Sequence, residues 1–137
     1  MNWEECELKR MVKKIKPDLN LAKSLKISSQ KKLESAKRLK IDSVTGSSVV
    51  SLCYEALREL LEAIAVQKGF KVYNHECFAA FLKEIVKEEE IAISFDRFRQ
   101  IRNRINYYGK DLSTEDAKDI KEEIIELIAK IGKITTT

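Results

Sequence analysis

Helix-breaking residues are scarce in this chain, which has four Gly and one Pro among 137 residues. An average globular protein carries about 12% of these two residue types together. An all-β sandwich or barrel needs turn residues about every 8–12 positions, and this chain cannot supply them. Apolar residues make up 44% of the chain, enough to bury a core and to exclude intrinsic disorder. The sequence therefore predicts an all-α fold.

The breakers divide the first half of the chain into three helices. Pro is tolerated only at the start of a helix, so Pro17 separates a helix at about 2–15 from a second one at about 18–41. Gly46 precedes a third helix that ends at Gly69. This third helix is the most apolar of the chain, and such a broad apolar face is typical of a helix at the centre of a bundle.

Cap residues mark the helices of the second half. Asn74 is placed to cap a fourth helix, and the run from Glu88 to Ser94 indicates a break before a fifth. Ser113 and Asp116 have the spacing of a capping box for the last helix. We predict one domain over residues 1–137, an antiparallel up-and-down bundle of four main helices with one or two basic N-terminal helices over 1–41 and a core at about 45–132.

The net charge of +4 conceals an uneven distribution. The first 40 residues hold 12 Lys and Arg against 5 Asp and Glu, whereas the other 97 hold 14 against 17. One interpretation is a basic face for nucleic acid or an acidic partner. The other is a lysine-rich helix that is simply solvated.

The chain has few potential metal ligands, with one His and three Cys and no C-x-x-C spacing, so we expect neither a metal nor a cofactor. Cys53 and Cys77 occupy apolar helix positions, which predicts buried, unpaired thiols of the kind found in a reducing compartment. No apolar run approaches the roughly 20 residues of a membrane span, and the N-terminus lacks a signal-peptide core. These features predict a cytoplasmic protein that does not contact membranes.

One short segment departs from the background composition. Residues 97–104 contain four Arg and no Lys, whereas the rest of the chain contains 19 Lys and only three Arg. Solubility alone would be served by Lys, but the Arg guanidinium is a planar fork that binds phosphate or carboxylate at two points and stacks on bases. The segment is therefore the strongest candidate for a binding site.

Helical geometry divides this segment into a buried stripe and two polar flanks. Phe98, Ile101, Ile105 and Tyr108 form the predicted stripe. Arg102 borders it, with Asn106 one turn further on. The same flank also carries Arg99 and Asn103, and the opposite flank carries Arg97 and Arg104. Arg, Asn and Tyr along one edge suit phosphate binding, base recognition and stacking. The alternative is a structural network with Glu88–Glu90 or with acids of the last helix.

The run Arg102-Asn103-Arg104-Ile105-Asn106-Tyr107-Tyr108-Gly109 resembles the motif of the HEPN family (higher eukaryotes and prokaryotes nucleotide-binding domain). That motif has Arg, a polar residue such as Asn, a few further residues and then His, often followed by Tyr. The segment from Tyr73 to Phe81, which contains His75, is similar to the His-bearing helix start of prokaryotic HEPN proteins. The resemblance covers about residues 45–132.

This resemblance implies a homodimeric helical bundle whose motif helices face each other across a cleft. Many HEPN proteins are metal-independent ribonucleases and toxins, often paired with a small nucleotidyltransferase that can act as antitoxin. Their Arg and His bind phosphate and assist attack by the RNA 2′-hydroxyl. Arg102 and Asn103 match the motif, but Tyr107 stands in place of the His, and Tyr as a residue type, with a free pKa of about 10, is a poor base at neutral pH.

We therefore expect a HEPN-like module that binds nucleotide or RNA and works with a nucleotidyltransferase in a toxin–antitoxin-type system. The predicted binding residues are Arg99, Arg102, Asn103, Asn106 and Tyr107, and Arg102 and Tyr107 are the catalytic candidates. Two alternatives remain open: an active metal-independent endoribonuclease toxin, and a bundle used only for protein assembly. His75, at the first turn of the fourth helix, is interpreted as a capping or packing residue that could act only if the fold brings it to Arg102.

Overall fold

The structure is a computed structural model that describes residues 1–134. Over that range it contains six α-helices and one two-stranded antiparallel sheet, which confirms the all-α fold class. None of these helices combines the length and hydropathy needed to cross a bilayer. In chain order the elements are α1 (Trp3–Leu8), β1 (Val12–Lys14), α2 (Leu19–Arg38), α3 (Gly46–Gln67), β2 (Phe70–Val72), α4 (Glu76–Ala80), a π-helical turn (Phe81–Ile85), α5 (Glu89–Tyr108) and α6 (Thr114–Ile134).

The apolar helix α3 lies at the centre, as its sequence predicts, and contacts α2, α5 and α6. Its pairing with α2 is close because α2 presents small buried residues seven positions apart, namely Ala22, Ser29 and Ala36. The hydroxyl of Ser29 donates to the carbonyl of Ala56 at 2.6 Å. The same core also includes residues of the N-terminal segment. The side chains of Ala22, Ser29 and Ala36 must be small because the backbones of α2 and α3 approach each other closely.

The prediction of a helix over residues 2–15 is wrong beyond Leu8. Helix α1 ends there, Arg10 adopts a positive φ of 57°, and β1 pairs with β2. The pairing overrides local helix propensity because β2 offers free backbone groups that the segment after Arg10 can bond. Gly69, at the entry to β2, has a φ of 90°, and a Cβ there would lie 3.0 Å from the carbonyl oxygen of Ile15. Only Gly fits this turn.

The expectation that Cys77 is an unpaired thiol is also wrong. Helix α1 docks against α4 and brings the Cα atoms of Cys6 and Cys77 to 6.1 Å, where the two residues form a disulfide. That separation lies in the normal disulfide range. Trp3 also packs α1 against β2, with its ring centroid 5.3 Å from that of Phe70. Cys53 is free and buried, as predicted.

The predicted caps of α4 and α6 are confirmed. The Asn74 side chain accepts a hydrogen bond from the Glu76 amide at 2.8 Å, and that of Ser113 accepts one from the Asp116 amide at 3.1 Å. The break before α5 is shorter than predicted: it is centred on Lys87, which has a φ of 64°, and Ser94 lies inside the helix.

Candidate functional site

Helix α5 carries the Arg-rich segment and divides it as predicted, except at its end. Phe98 and Ile101 are buried, and Ile105 is half-buried. Tyr108 is not buried, because residues 106–111 are all exposed and the last turn of α5 therefore lies outside the core. The prediction that Tyr108 continues the buried stripe is wrong for this reason.

The flank of α5 that faces α6 carries a structural ion pair. Arg97 bonds Glu123 of α6, and its guanidinium carbon lies 5.2 Å from the centroid of the Phe98 ring. This is the network with acids of the last helix that the sequence left open as an alternative. It involves Arg97 and none of the predicted binding residues.

The other flank of α5 faces α3, and Arg102 is the central residue of that flank. One Nη of Arg102 donates to an Oε of Glu55 at 3.1 Å. The Arg102 guanidinium carbon also lies 5.6 Å from the centroid of the Tyr54 ring, a cation–π distance. Only 20% of the Arg102 side chain is exposed, so its charge is partly removed from water while part of the fork still reaches solvent.

Two further arginines surround this contact. Arg58 of α3 bonds Glu55 at 3.0 Å and Glu62 at 2.7 Å. Arg99, one turn before Arg102, donates through its Nε to Asp96 at 2.8 Å. Each of these two arginine side chains is 18% exposed. Three guanidinium groups from α3 and α5 therefore lie together on one half-buried face.

The fold brings the only His of the chain to the same face. His75 occupies the N-cap position of α4 but makes no capping hydrogen bond, so the capping interpretation is wrong. The packing interpretation is confirmed, because the His75 ring packs against the rings of Tyr54 and Phe78. Its Nδ1 instead lies 3.2 Å from the hydroxyl of the buried Tyr54. The Tyr54 ring contacts Arg102 as well, so one buried phenol links His75 to Arg102. We call this set the Arg102 cluster: Tyr54, Glu55, Arg58, His75, Arg99 and Arg102.

Burial and charge keep the ring of His75 neutral in the free protein. Burial is the largest cause of a lowered His75 pKa, and the positive charges of neighbouring arginines lower it further against the opposing effect of Glu55. Those arginines are Arg58, Arg102 and Arg99. Burial also raises the pKa of Tyr54, so its hydroxyl keeps its proton. A neutral imidazole beside three cations can accept a proton or donate to an anion.

A shallow cleft of about 470 Å³ adjoins Arg102 between the start of α3 and the second half of α5. Arg102 and Asn106 line it from α5, which agrees with the prediction that they lie one turn apart on the same edge. Hydroxyl groups line it from α3, namely those of Ser47, Ser48 and Ser51. Leu39, Leu52 and Ile105 make part of the wall apolar, Glu55 adds a carboxylate, and the Ser47 hydroxyl already donates to Asp111. The donors that remain for an oxyanion ligand are the guanidinium, the amide and the hydroxyls of Ser48 and Ser51.

The structure brings together some of the predicted site residues and separates others. Arg99 and Arg102 belong to one cluster, and Asn106 lines the adjoining cleft. Asn103 is half-buried and makes no side-chain hydrogen bond to any residue within 1–134. Tyr107 is 72% exposed. Residues five positions apart on a continuous α-helix differ by about 140° in direction, which keeps the two catalytic candidates apart within one chain.

Sequence reasoning missed the residues that α3 contributes, Tyr54, Glu55 and Arg58. One signal was available, because Arg58 is the only Arg on the most apolar helix of the chain. An Arg in such a helix needs carboxylate partners, and Glu55 and Glu62 stand at i−3 and i+4 from it.

No protein-family profile matches the chain, and neither a curated protein nor a solved structure matches it with statistical significance.

Proposed function

We propose that this chain is a nucleotide- or RNA-binding module of the HEPN type, and that it holds a phosphate of its ligand at the Arg102 cluster. The observation that carries the proposal is the arrangement around Tyr54. That buried phenol contacts His75 through its hydroxyl and Arg102 through its ring. Three helices thus bring the sole His to a group of partly buried arginines. A helical bundle does not require such an arrangement for its stability.

The arginines of the cluster retain donors for a ligand. A guanidinium has five N–H donors. Arg102 uses one Nη for Glu55, and Arg99 uses only its Nε for Asp96, among the bonds within residues 1–134. The remaining Nη groups can bind phosphate oxygens at two points. Because both side chains are already held by carboxylates, little ordering is required when a ligand binds.

A rival explanation treats the cluster as an ion-pair network with no ligand. It has support, since three guanidinium groups are matched by three carboxylates, those of Glu55, Glu62 and Asp96. The network alone does not explain why His75 faces this site through Tyr54. It also does not explain why Arg102 and Asn106 line an open cleft with hydroxyl donors.

Arg102→Gln tests the proposal, with Arg97→Gln as its matched control on the opposite flank of the same helix. We expect Arg102→Gln to weaken binding of a fluorescein-labelled RNA oligonucleotide by about tenfold or more, because charge-assisted hydrogen bonds are lost. Arg97→Gln should change the dissociation constant by no more than about twofold, since it breaks an exposed pair. If the two substitutions have equal effects, and circular dichroism shows that both variants are folded, the remaining explanations are the ion-pair network and a bundle used only for protein assembly.

The position of His75 favours a second candidate function, a metal-independent endoribonuclease. A neutral His75 can take the proton of an RNA 2′-hydroxyl while the 2′-oxygen bonds to the adjacent phosphorus. The bond from phosphorus to the 5′-oxygen then breaks, and the 5′-oxygen takes a proton from water, leaving a 2′,3′-cyclic phosphate and a 5′-hydroxyl. Arg102 and Arg99 would neutralise the charge on the phosphoryl oxygens.

Incubation of RNA with the purified protein in the presence of a chelator tests this second function. We expect fragments with cyclic phosphate ends, and we expect His75→Gln and Arg102→Gln to abolish them. Tyr107→Phe should cleave like the unmodified protein, because Tyr107 points about 140° away from Arg102 around the axis of α5. Intact RNA at high protein concentration would exclude the nuclease and leave the binding function standing.

We also propose the partners that the HEPN resemblance implies, a second copy of this chain and a small nucleotidyltransferase. The exposed end of α5 supports a protein contact there, because Tyr107 and Tyr108 are 72% and 74% exposed. Light scattering of the purified chain tests the homodimer, and co-purification from the native organism tests the enzyme partner. A monomer at high concentration would contradict the first proposal, and recovery of the chain without a nucleotidyltransferase would contradict the second.

A further inference from the structure

The outer face of the β1–β2 sheet places two lysines directly opposite each other. Lys13 pairs with Lys71 in the register, between the Val12–Val72 and Lys14–Phe70 pairs. Val12 and Val72 are buried. Because side chains alternate along a strand, Lys13 and Lys71 point to the opposite face, and both are exposed. Like charges at directly opposed positions destabilise a sheet.

Within residues 1–134, no acidic side chain forms an ion pair with these lysines. Residues 9–16 and 68–73, which make up the sheet and its entry turns, contain no Asp or Glu. None of their basic groups lies within ion-pair distance of a carboxylate in the part of the chain that the structure describes, although Lys32 and Arg97 elsewhere do form such pairs. The basic residues of the two segments are Lys9, Arg10, Lys13, Lys14, Lys16, Lys68 and Lys71.

An exposed aromatic ring lies within this charge. Tyr73 is two residues after Lys71, on the same side of the strand, and is 58% exposed. The Nζ of Lys71 lies 5.7 Å from the centroid of the Tyr73 ring. A stacking ring beside cations that track a backbone is the combination by which proteins bind single-stranded nucleic acid. We call Lys13, Lys71 and Tyr73 the basic sheet face.

We propose that the basic sheet face binds single-stranded RNA, with lysines on its phosphates and the Tyr73 ring stacked on a base. The inference rests on the proposed function for its ligand class, since it extends the footprint of the same ligand. Tyr73 and His75 are separated by one residue, so their Cα atoms are at most about 7.6 Å apart. The basic sheet face and the Arg102 cluster are therefore adjacent along the chain, and one RNA strand that contacts both is the arrangement tested below.

RNA suits this surface better than an anionic membrane or an acidic peptide. The exposed ring of Tyr73 offers a stacking plane for a base, which a carboxylate side chain does not use. The surface also leads into a cluster rich in guanidinium groups, which bind phosphate and stack on bases. Anionic vesicles and an acidic peptide serve below as competing ligands.

The test compares the double variant Lys13→Gln/Lys71→Gln with the control Lys23→Gln/Lys31→Gln. The control removes the same charge from exposed positions of α2 that lie outside any ion pair within residues 1–134. Binding of a labelled oligouridylate is measured by anisotropy over a range of salt concentrations. We expect the sheet variant to bind at least about fivefold more weakly. The salt slope, which is the slope of the logarithm of the association constant against the logarithm of the salt concentration, should become smaller in magnitude by about 1.4 because two phosphate contacts are lost. The control should keep the slope of the unmodified chain.

Tyr73→Leu provides an independent measure. We expect it to weaken oligouridylate binding by about fivefold or more while leaving the salt slope unchanged, because it removes stacking and no charge. Melting temperatures verify the fold, and Lys13→Gln/Lys71→Gln should keep or raise the melting temperature because it relieves repulsion between facing charges.

The outcomes separate this inference from the proposed function. If Arg102→Gln weakens RNA binding while the sheet variant matches its α2 control, the sheet inference is overturned and the Arg102 cluster stands. If the sheet variant weakens binding and Arg102→Gln does not, the cluster is excluded as a phosphate site and the sheet face stands as the RNA contact. Binding to phosphatidylserine vesicles or to a poly-glutamate peptide that depends on Lys13 and Lys71, with RNA binding unaffected, would also overturn the sheet inference.

Discussion

The hydroxyl of Tyr54 lies 3.2 Å from Nδ1 of His75, and this contact joins the centre of the bundle to the start of α4. Tyr54 is fully buried on α3, whereas His75 is half-buried where the chain leaves the sheet. Through the same phenol ring the His is connected to Arg102 on α5. The relationship brings residues from three elements into one cluster, in which Tyr54 contacts both His75 and Arg102.

Tyr54→Phe should separate the two roles of this phenol. The substitution removes the hydrogen bond to His75 and keeps the ring beneath Arg102. We expect a loss of about 1 kcal/mol in the free energy of unfolding, the typical net contribution of one hydrogen bond. We also expect the NMR signals of His75 to broaden or shift while RNA affinity falls less than in Arg102→Gln. Unchanged His75 signals would contradict the contact.

The stability of the protein should depend on pH through His75. Its pKa is lowered in the folded state, so the unfolded chain binds a proton more readily below about pH 6.5. The free energy of unfolding should therefore fall as the pH drops from about 6.5 through the folded pKa, by at most about 1.4 kcal/mol per pH unit. Urea unfolding of the wild-type chain and of His75→Gln measures this. The variant should lack this component, and identical pH profiles would contradict the prediction.

Ligand binding should show the opposite dependence on pH. A bound phosphate beside His75 favours its protonated form and offsets the repulsion from the arginines. Affinity for an RNA oligonucleotide should thus increase as the pH falls towards the free-state pKa of His75, and His75→Gln should remove this increase. Anisotropy titrations at constant ionic strength measure the effect. A variant that keeps the full pH dependence would show that His75 does not face the ligand.

The three cysteines should react in a fixed order. Burial raises the pKa of Cys53 to about 11, and Cys6 is bonded to Cys77. We expect no rapidly reacting thiol in the native protein, one after unfolding, and three after unfolding with a reductant. A chromogenic disulfide reagent counts them. Three thiols in the unfolded, unreduced protein would contradict the disulfide.

The close pairing of α2 with α3 predicts that enlarging Ala36 is destabilising. Ala36 is completely buried, and Ala36→Leu would force the two helices apart at a cost of about 1–3 kcal/mol. Lys37→Leu introduces the same side chain at the exposed neighbouring position and should change the free energy of unfolding by no more than about 0.5 kcal/mol. Thermal or urea unfolding compares the two variants. Equal effects would show that the helices do not meet at Ala36.

The helical part of the fold could be predicted because its signals are local. The scarcity of breakers, the caps at Asn74 and Ser113, and the broad apolar face of α3 each act within a few residues along the chain. The sheet could not be predicted, because β1 exists only where β2 supplies hydrogen-bond partners more than fifty residues away in the chain. The disulfide depends in the same way on the docking of α1 against α4.

The candidate site shows the same division. Composition identified Arg99 and Arg102, since a cluster of Arg in a Lys-rich chain is visible without a structure. Tyr54, Arg58 and His75 were not assigned to the site, because each looks like an ordinary core, surface or capping residue in its own helix. Tyr107 stays a prediction, because side chains five positions apart on a helix point in different directions and only a second copy of the chain would bring Tyr107 to Arg102.

The amino-acid sequence alone determined that this protein is helical and that four of its seven arginines are concentrated in residues 97–104 of α5. Both properties follow from residue types and short-range spacing, which act before distant segments meet. Only the tertiary structure decided which groups surround Arg102, because α3, α4 and α5 must pack before Tyr54 can contact both His75 and Arg102. It likewise decided that Lys13 faces Lys71, since a cross-strand register exists only in the folded chain.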